Sequence, residues 1–409
     1  MRKKFLLIGL AMLSMAAVAQ DNFLTVDAQL RTRGEHNHGA VRPIKDGEQS
    51  ANFVNERARL GIDYQRGFLE VKVAAQHTGL WGQDGMNDTN GRATLSEAWG
   101  KLMFDDHFFA QIGRQQLAYD DERLLGAQDW DVSGYWHDAL KLGYEDGHNK
   151  LHAILSMNQT AENNRGDYYG GPMPYKNMQA LWYHYQSQRV PIEASLMFIN
   201  VGQEAGAEGH GRTYYVQTMG TDINFKPIDW NFHAAFYYQM GKNFFGYDID
   251  AFMASAKAEV DIYPLMKLSA GYDYLSGNRF SNKQGAFDAL FGSYHNFYGA
   301  MDLIPGFLTL GLHDIQAGAA LKVDELSVQL GYHYFMTAEK YRSYGRRLGH
   351  EIDLKASYRL LKDVTVMGGF STMMGTETMD IVAGGSHKKF QDWAWLQLNI
   401  NPRIFATKW

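Results

Sequence analysis

Cysteine is absent from all 409 residues. The chain therefore has no disulfide framework and no thiolate site for a metal or for redox chemistry. Long apolar runs are missing as well: after the first 19 residues nothing reaches the length of a transmembrane helix. Cation excess is also missing. Lys and Arg number 39 against 45 Asp and Glu, for a formal charge of −6, which argues against nucleic acid as a partner. Motifs for chemistry are equally scarce. There is no Gly-rich phosphate loop, no nucleophile elbow and no His-Glu-x-x-His spacing. His36-Asn37-His38 is the nearest approach to a metal-ligand pair, and such a pair in a polar loop is more often solvated. No catalytic residue, cofactor or metal is expected.

What is present begins with an address. Arg2, Lys3 and Lys4 precede an apolar stretch from Phe5 to Ala16, and Ala17-Val18-Ala19 offers a small-x-small cleavage site. Residues 1–19 read as an export signal, with an N-terminal anchor helix as the plainer alternative, and residues 20–409 as one barrel domain. Losing the signal would remove three positive charges. Aromatics make up 14% of the chain, with 24 Tyr and 23 Phe. A bilayer-spanning chain without long apolar helices must close a β-barrel, because only closure satisfies every backbone group in lipid. Aromatic girdles at the two interfaces would account for the Tyr, Phe and Trp.

The dominant period is two. Leu24, Val26, Ala28 and Leu30 alternate with Thr25, Asp27, Gln29 and Arg31; Ala58, Leu60 and Ile62 alternate with Arg57, Arg59 and Asp63. Phe252, Ala254, Ala256 and Ala258 alternate with Ser255, Lys257 and Glu259. Successive side chains of a strand point to opposite faces, so each segment has an apolar and a polar side. A soluble β-sandwich alternates too, but its strands run to about five or six residues. A tilted membrane strand needs about 9 to 11, which these segments reach. Charges in mid-strand suit a wet lumen.

Short turns fall at 65–67, 105–107, 146–148, 188–191, 226–229, 263–265, 323–325 and 361–363. Longer polar connections lie around 36–52, 80–93, 119–136, 160–176, 203–211, 241–247, 275–310, 338–347 and 375–389. Strict alternation of the two kinds predicts an all-β, antiparallel transmembrane β-barrel of about 18 strands. Both termini then lie on the short-turn, periplasmic side. The 275–310 connection, rich in Gly, Phe, Tyr and His, has three readings: a constriction folded into the lumen, a surface loop, or an extra hairpin (296–303 with 307–313) that would raise the count to 20.

Glu56-Arg57-Ala58-Arg59-Leu60-Gly61 and Leu95-Ser96-Glu97-Ala98-Trp99 resemble the start of the alginate-export porin family. So do Gly113-Arg114-Gln115, Tyr119, Arg123-Leu124, Asp129-Trp130 and Asp138. The resemblance is specific over 56–138 and loose beyond about residue 145. It implies an 18-stranded outer-membrane barrel that passes an anionic polysaccharide through an arginine-rich conduit. It also implies an inward role for Arg114, which strict alternation would place on the lipid face unless Gly113 marks a bulge.

Arg31, Arg33, Arg57 and Arg59 share the polar faces of the first two strands, which pair, so they are expected to form one lumenal patch. Arg binds carboxylate and phosphate in bidentate fashion, and basic rings mark anion pores. Carboxylates on the same faces balance these charges over the lumen as a whole. The expected solute path is lined by these four arginines with Lys72, Glu97, Lys101, Arg114, Arg123, Asp129 and Asp138. Arg123, Asp129 and Asp138 are placed to tie the 119–136 loop to the wall. The reading is a passive outer-membrane pore for polar, anionic solutes, whose other partner is outer-membrane lipid. Its alternatives are a plugged barrel serving as receptor or adhesin, and an outer-membrane hydrolase.

Overall fold

The computed structural model describes residues 22–86, 93–162, 164–208, 210–262, 265–278, 282–304 and 309–409. The expected export signal and most of the 263–265 turn lie outside them. The wall opens with β1 (Phe23–His38), β2 (Ala51–Arg66), β3 (Leu69–Leu80), β4 (Ala93–Met103), β5 (Phe108–Gln115), β6 (His137–Glu145) and β7 (Asn149–Met157). It continues through β8 (Asn177–Gln186), β9 (Ile192–Ala205), β10 (Arg212–Phe225), β11 (Trp230–Lys242), β12 (Asp248–Ile262) and β13 (Met266–Leu275). A two-residue piece, β14 (Lys283–Gln284), sits in the long connection that follows. The rest comprises β15 (Leu312–Val323), β16 (Leu326–Met336), β17 (Arg347–Leu361), β18 (Val364–Gly375), the short helix α1 (Glu377–Ala383), β19 (Gln391–Ile400) and β20 (Arg403–Lys408).

Each long strand pairs antiparallel with its predecessor, and the last returns to the first. Leu30–His38 of β1 pairs with β19, and Phe23–Asp27 with β20. β19 and β20 are thus one stave, interrupted at Asn401-Pro402, where proline has no N–H to give the ladder. With β14 outside the wall, the staves number eighteen and the barrel is closed. The extra hairpin is ruled out. Tyr294–Asn296 is a 3-10 turn, and the next barrel strand after β13 is β15.

The outer wall follows from the period of two. Leu60, Ile112, Leu181, Leu196 and Leu354 all stand uncovered, an apolar band that only lipid can wet favourably. The inner wall departs from expectation. It is polar toward the short-turn rim, but toward the long-loop rim Ile154, Met178, Ile199, Val216, Tyr237, Met253 and Phe335 point inward and are buried. They pack against Leu117, Leu124, Leu125, Phe287, Phe291, Tyr298 and Met301, all from long loops. Each such side chain is worth about 1.5–3 kcal/mol on burial. The lumen is apolar there because it has become a core for its own loops.

Candidate functional site

Two loops occupy the lumen: 116–136, after β5, and the described parts of the connection after β13, chiefly residues 286–304. They lie against each other. Leu125 bridges Phe291, and Gly126 N–H donates to the Phe291 carbonyl at 3.0 Å. Ser293 N–H donates to the Glu122 carbonyl at 2.9 Å. The approach is close enough that a Cβ on Gly292 would sit 2.2 Å from the Arg123 carbonyl oxygen. The connection read three ways from sequence is therefore an inward constriction.

The first loop crosses the barrel. Tyr119 OH meets His152 of β7 at 3.0 Å, and Trp182 of β8 donates to Asp120 at 2.9 Å. Arg123 reaches β12 and β13, donating to Ser255 at 2.8 Å and Asp273 at 3.0 Å, and it pairs with Asp121 at 2.6 Å. The Phe297 ring lies 4.3 Å from its guanidinium carbon. Six residues on, Asp129 takes a bond from Arg57 of β2 at 2.7 Å. Six extended residues reach about 20 Å. That stretch joins staves on nearly opposite sides of the ring.

The four predicted arginines are together, as their faces required, but three of them serve the loop. Arg31 donates to the carbonyls of Asp129 and Asp131, Arg33 to that of Trp130 at 3.0 Å. Arg33 also stacks over the Trp130 ring at 3.9 Å, and pairs with Glu35 at 2.8 Å. Arg57 is 1% exposed, bonded to Asp129 and to Gln29 at 2.8 Å. Arg59 differs. It is half-buried, and it donates to Gln76 at 3.0 and 2.7 Å. Among the described residues no carboxylate lies within ion-pair distance of it.

Below it, toward the short-turn rim, Lys72 pairs with Glu97 at 3.1 Å and Lys101 with Glu70 at 3.8 Å. Asp129 keeps 62% of its side chain exposed beside the arginines. Arg123 and Asp129 thus do tie the loop down.

Arg114 and Asp138 are corrections. Strands β4, β5 and β6 keep Arg114 opposite Ala98 and Asp138, in phase with lipid-facing Ile112, which is 65% exposed. Gly113 stays in register. The bulge of this sheet region is one strand earlier: Ala74 pairs with Glu97 and Ala75 with Leu95, so Ser96 is the extra residue. Arg114 and Asp138 therefore project from the outer wall rather than into the solute path. They neutralise each other through two 2.9 Å bonds, near the Trp136 ring at 5.6 Å, at the long-loop end of β5. A paired charge at the rim avoids most of the cost of a bare charge at mid-depth.

Sequence reasoning missed the polar belt that receives the loops. Asp121, Asp222 and His233 bring ligand-type atoms within 4.8 Å of one another. Arg123 already engages Asp121, and His233 engages Asp222 at 2.6 Å, so the cluster is paired within the chain. Gln316 joins Asp273 to Asp314 at 2.8 and 2.9 Å, and Glu351 accepts from Met301 N–H at 2.8 Å. His295 stacks on Trp130 at 4.1 Å and pairs with Asp302 at 2.9 Å. The inward parity of Asp273 and Glu351 was readable; their loop partners were not.

The alginate export family model matches residues 22–367. The chain belongs to that family. Among solved structures it is similar to OccAB1 of Acinetobacter baumannii, with a TM-score of 0.66 at 11% identity, covering 93% of this chain and 97% of that one. It is also similar to OpdO of Pseudomonas aeruginosa, with a TM-score of 0.64 at 13% identity, covering 93% and 98%. OccK10 (OpdN) of the same species gives 0.64 at 13%, covering 94% and 100%. No curated protein matches. Family and fold together make this an outer-membrane channel of the porin kind.

The docked loop carries its own pH sensitivity. Burial pushes Asp120 up to about 6, with Asp222 and Asp121 adding to it and the bonds from Ser195 and Trp182 opposing it. An acid whose pKa exceeds its ordinary 3.8 holds its proton better in the docked state. Docking is then firmest below about pH 4, weakens as pH climbs to about 6, and changes no further above that through this group. Asp120→Asn is expected to remove that component. Gating frequency in single-channel records should rise between pH 4.5 and 6.5 in the native chain by more than in the variant.

Proposed function

We propose that the chain is a passive diffusion pore for polar, anionic solutes, with Arg59 as its selecting cation. The observation that carries this reading is the fate of the four arginines. Arg31, Arg33 and Arg57 are consumed by the loop, while Arg59 faces the lumen and, among the described residues, donates only to the Gln76 amide, with Asp129 and Glu97 near enough to act on its charge but beyond ion-pair distance. A guanidinium so placed offers bidentate bonds to a carboxylate or phosphate. The alternating Lys72, Glu97, Lys101 and Glu70 below keep any such contact weak enough for release.

Reversal potentials across planar bilayers in a salt gradient test this. Arg59→Ser is expected to lower the anion-to-cation permeability ratio by about twofold or more. An unchanged ratio would reject Arg59 as the selecting group. A second reading, a barrel closed by its own loops and acting as a surface receptor, draws on the crossing of the lumen by residues 119–129. It predicts conductance near zero in the same recordings.

A further inference from the structure

The outer wall can be followed row by row across β13, β15, β16 and β17. Leu268, Ala319, Leu330 and Leu354 stand side by side in a wholly apolar row. Nearer the long loops comes a row of Tyr272, Ile315, Tyr334 and His350. The last row is Tyr274, His313, Met336 and Arg347. Leu268 and Tyr274 are separated by about 20 Å of strand. Within that distance the wall passes from hydrocarbon side chains through aromatic rings to a cation, the order that lipid tails, interface and headgroups impose.

Arg347 reaches that row through a β-bulge. The ladder between β16 and β17 shifts register between Phe335 and Met336, so that Met336 pairs with Arg347 rather than Leu348. Without the shift Arg347 would follow Thr337, which is 0% exposed, to the inner side. The extra residue turns Arg347 outward and leaves Leu348, 1% exposed, in the core.

Further cations gather here. Lys340, Arg342, Arg346 and Arg347 fall within eight residues, and all four are exposed. Among the described residues no carboxylate lies within ion-pair distance of any of them. The same stretch carries one acid, Glu339. Glu377 opens α1, where the Thr376 hydroxyl donates to the Arg347 carbonyl. Arg346 lies close enough to His313 to act on its charge, which places it at the same corner of the outer wall. Tyr272 OH meets Nδ1 of His313 at 2.7 Å, and Tyr332 OH meets Nδ1 of His350 at 2.6 Å. With the hydroxyls donating, each ring keeps an Nε2–H for another acceptor, and neither has one among the described residues. The corner therefore offers cations and N–H donors without anions to receive them.

We propose that this corner of the long-loop rim binds a phosphate of an outer-leaflet glycolipid, held by Arg346 and Arg347. Guanidinium groups bind phosphate in bidentate fashion. The lipid also accounts for what lies directly beneath, since its acyl chains would run down the aromatic and apolar rows, which a free phosphate would leave bare. The site lies outside the lumen and is independent of Arg59 and of conduction.

Native mass spectrometry of the full chain in detergent tests this with bisphosphorylated lipid A. The native chain is expected to retain it. The Arg346→Gln/Arg347→Gln variant should bind it about tenfold more weakly or worse, with barrel closure checked by heat-modifiable gel mobility. Lys45→Gln/Lys388→Gln removes the same charge from exposed positions elsewhere on the long-loop side, and should bind as the native chain does. Inorganic pyrophosphate in excess should leave the lipid in place. Native affinity in the arginine variant, an equal loss in the lysine variant, or displacement by pyrophosphate would each overturn the proposal.

Discussion

Replacing Arg123 by leucine is expected to loosen both inward loops and give frequent excursions to a several-fold higher single-channel conductance, with the barrel still closed. The guanidinium holds Asp121 at 2.6 Å and Asp273 at 3.0 Å, and Phe297 of the second loop lies against it. Burial works against a charge there, but Asp273 and Asp121 outweigh it and hold the group more firmly protonated than usual. Removing one partner of a buried pair costs about 3–5 kcal/mol, because the other charge is left without compensation. The loop can relieve that cost by leaving. The wall cannot move, since its hydrogen-bond ladder closes on itself. What opposes release is the apolar packing of Leu124, Leu125 and Phe291, at about 1.5–3 kcal/mol for each fully buried chain. The two terms are comparable, so the loop is expected to sample the undocked state often rather than abandon its seat. Adding Asp273→Asn removes the orphaned charge and should return conductance toward the native level. An unchanged conductance in Arg123→Leu would show that the pair does not hold the loop.

Leu181→Arg is expected to destabilise the barrel by about 2–4 kcal/mol, the depth-dependent cost of a lipid-facing arginine near mid-bilayer. Leu181 is the fifth of ten residues in β8 and 48% exposed on the outer face. Among the described residues its cross-strand neighbours are Ala153 and Phe198, neither able to pair with a cation. Urea unfolding in lipid vesicles measures the change. Arg114 supplies the contrast: it shares the outer wall, but at the rim and with Asp138 against it. Arg114→Leu is expected to shift stability far less. Equal tolerance at both positions would argue that Leu181 does not face lipid.

How much of this could be read in the chain differs by element. The staves were legible because a lipid wall imposes strict parity, as in β1, β2 and β12. The turns were legible because short polar connections interrupt that parity at regular spacing. Ser96 was not: an inserted residue that is small and buried leaves the pattern beside it intact, and the bulge was sought at Gly113 instead. Pro402 is a break visible in the chain itself, and it falls between β19 and β20. The arginine patch was located correctly, but its use was not. Whether Arg57 meets a solute or Asp129 depends on a loop 72 residues away in sequence, and no local pattern encodes that contact. The same holds for the apolar inner wall, since Ile154, Met178 and Ile199 look like any strand residues until the loop that covers them is known.

The claim that the loops held by buried charges set the bore of this channel is tested most directly by single-channel conductance of a chain in which residues 118–133 are replaced by a short Gly-Ser linker. Conductance several-fold above that of the native chain, with the closed barrel confirmed by gel mobility, is the predicted result. Native conductance in the shortened chain would contradict it, because the first loop would then play no part in defining the path.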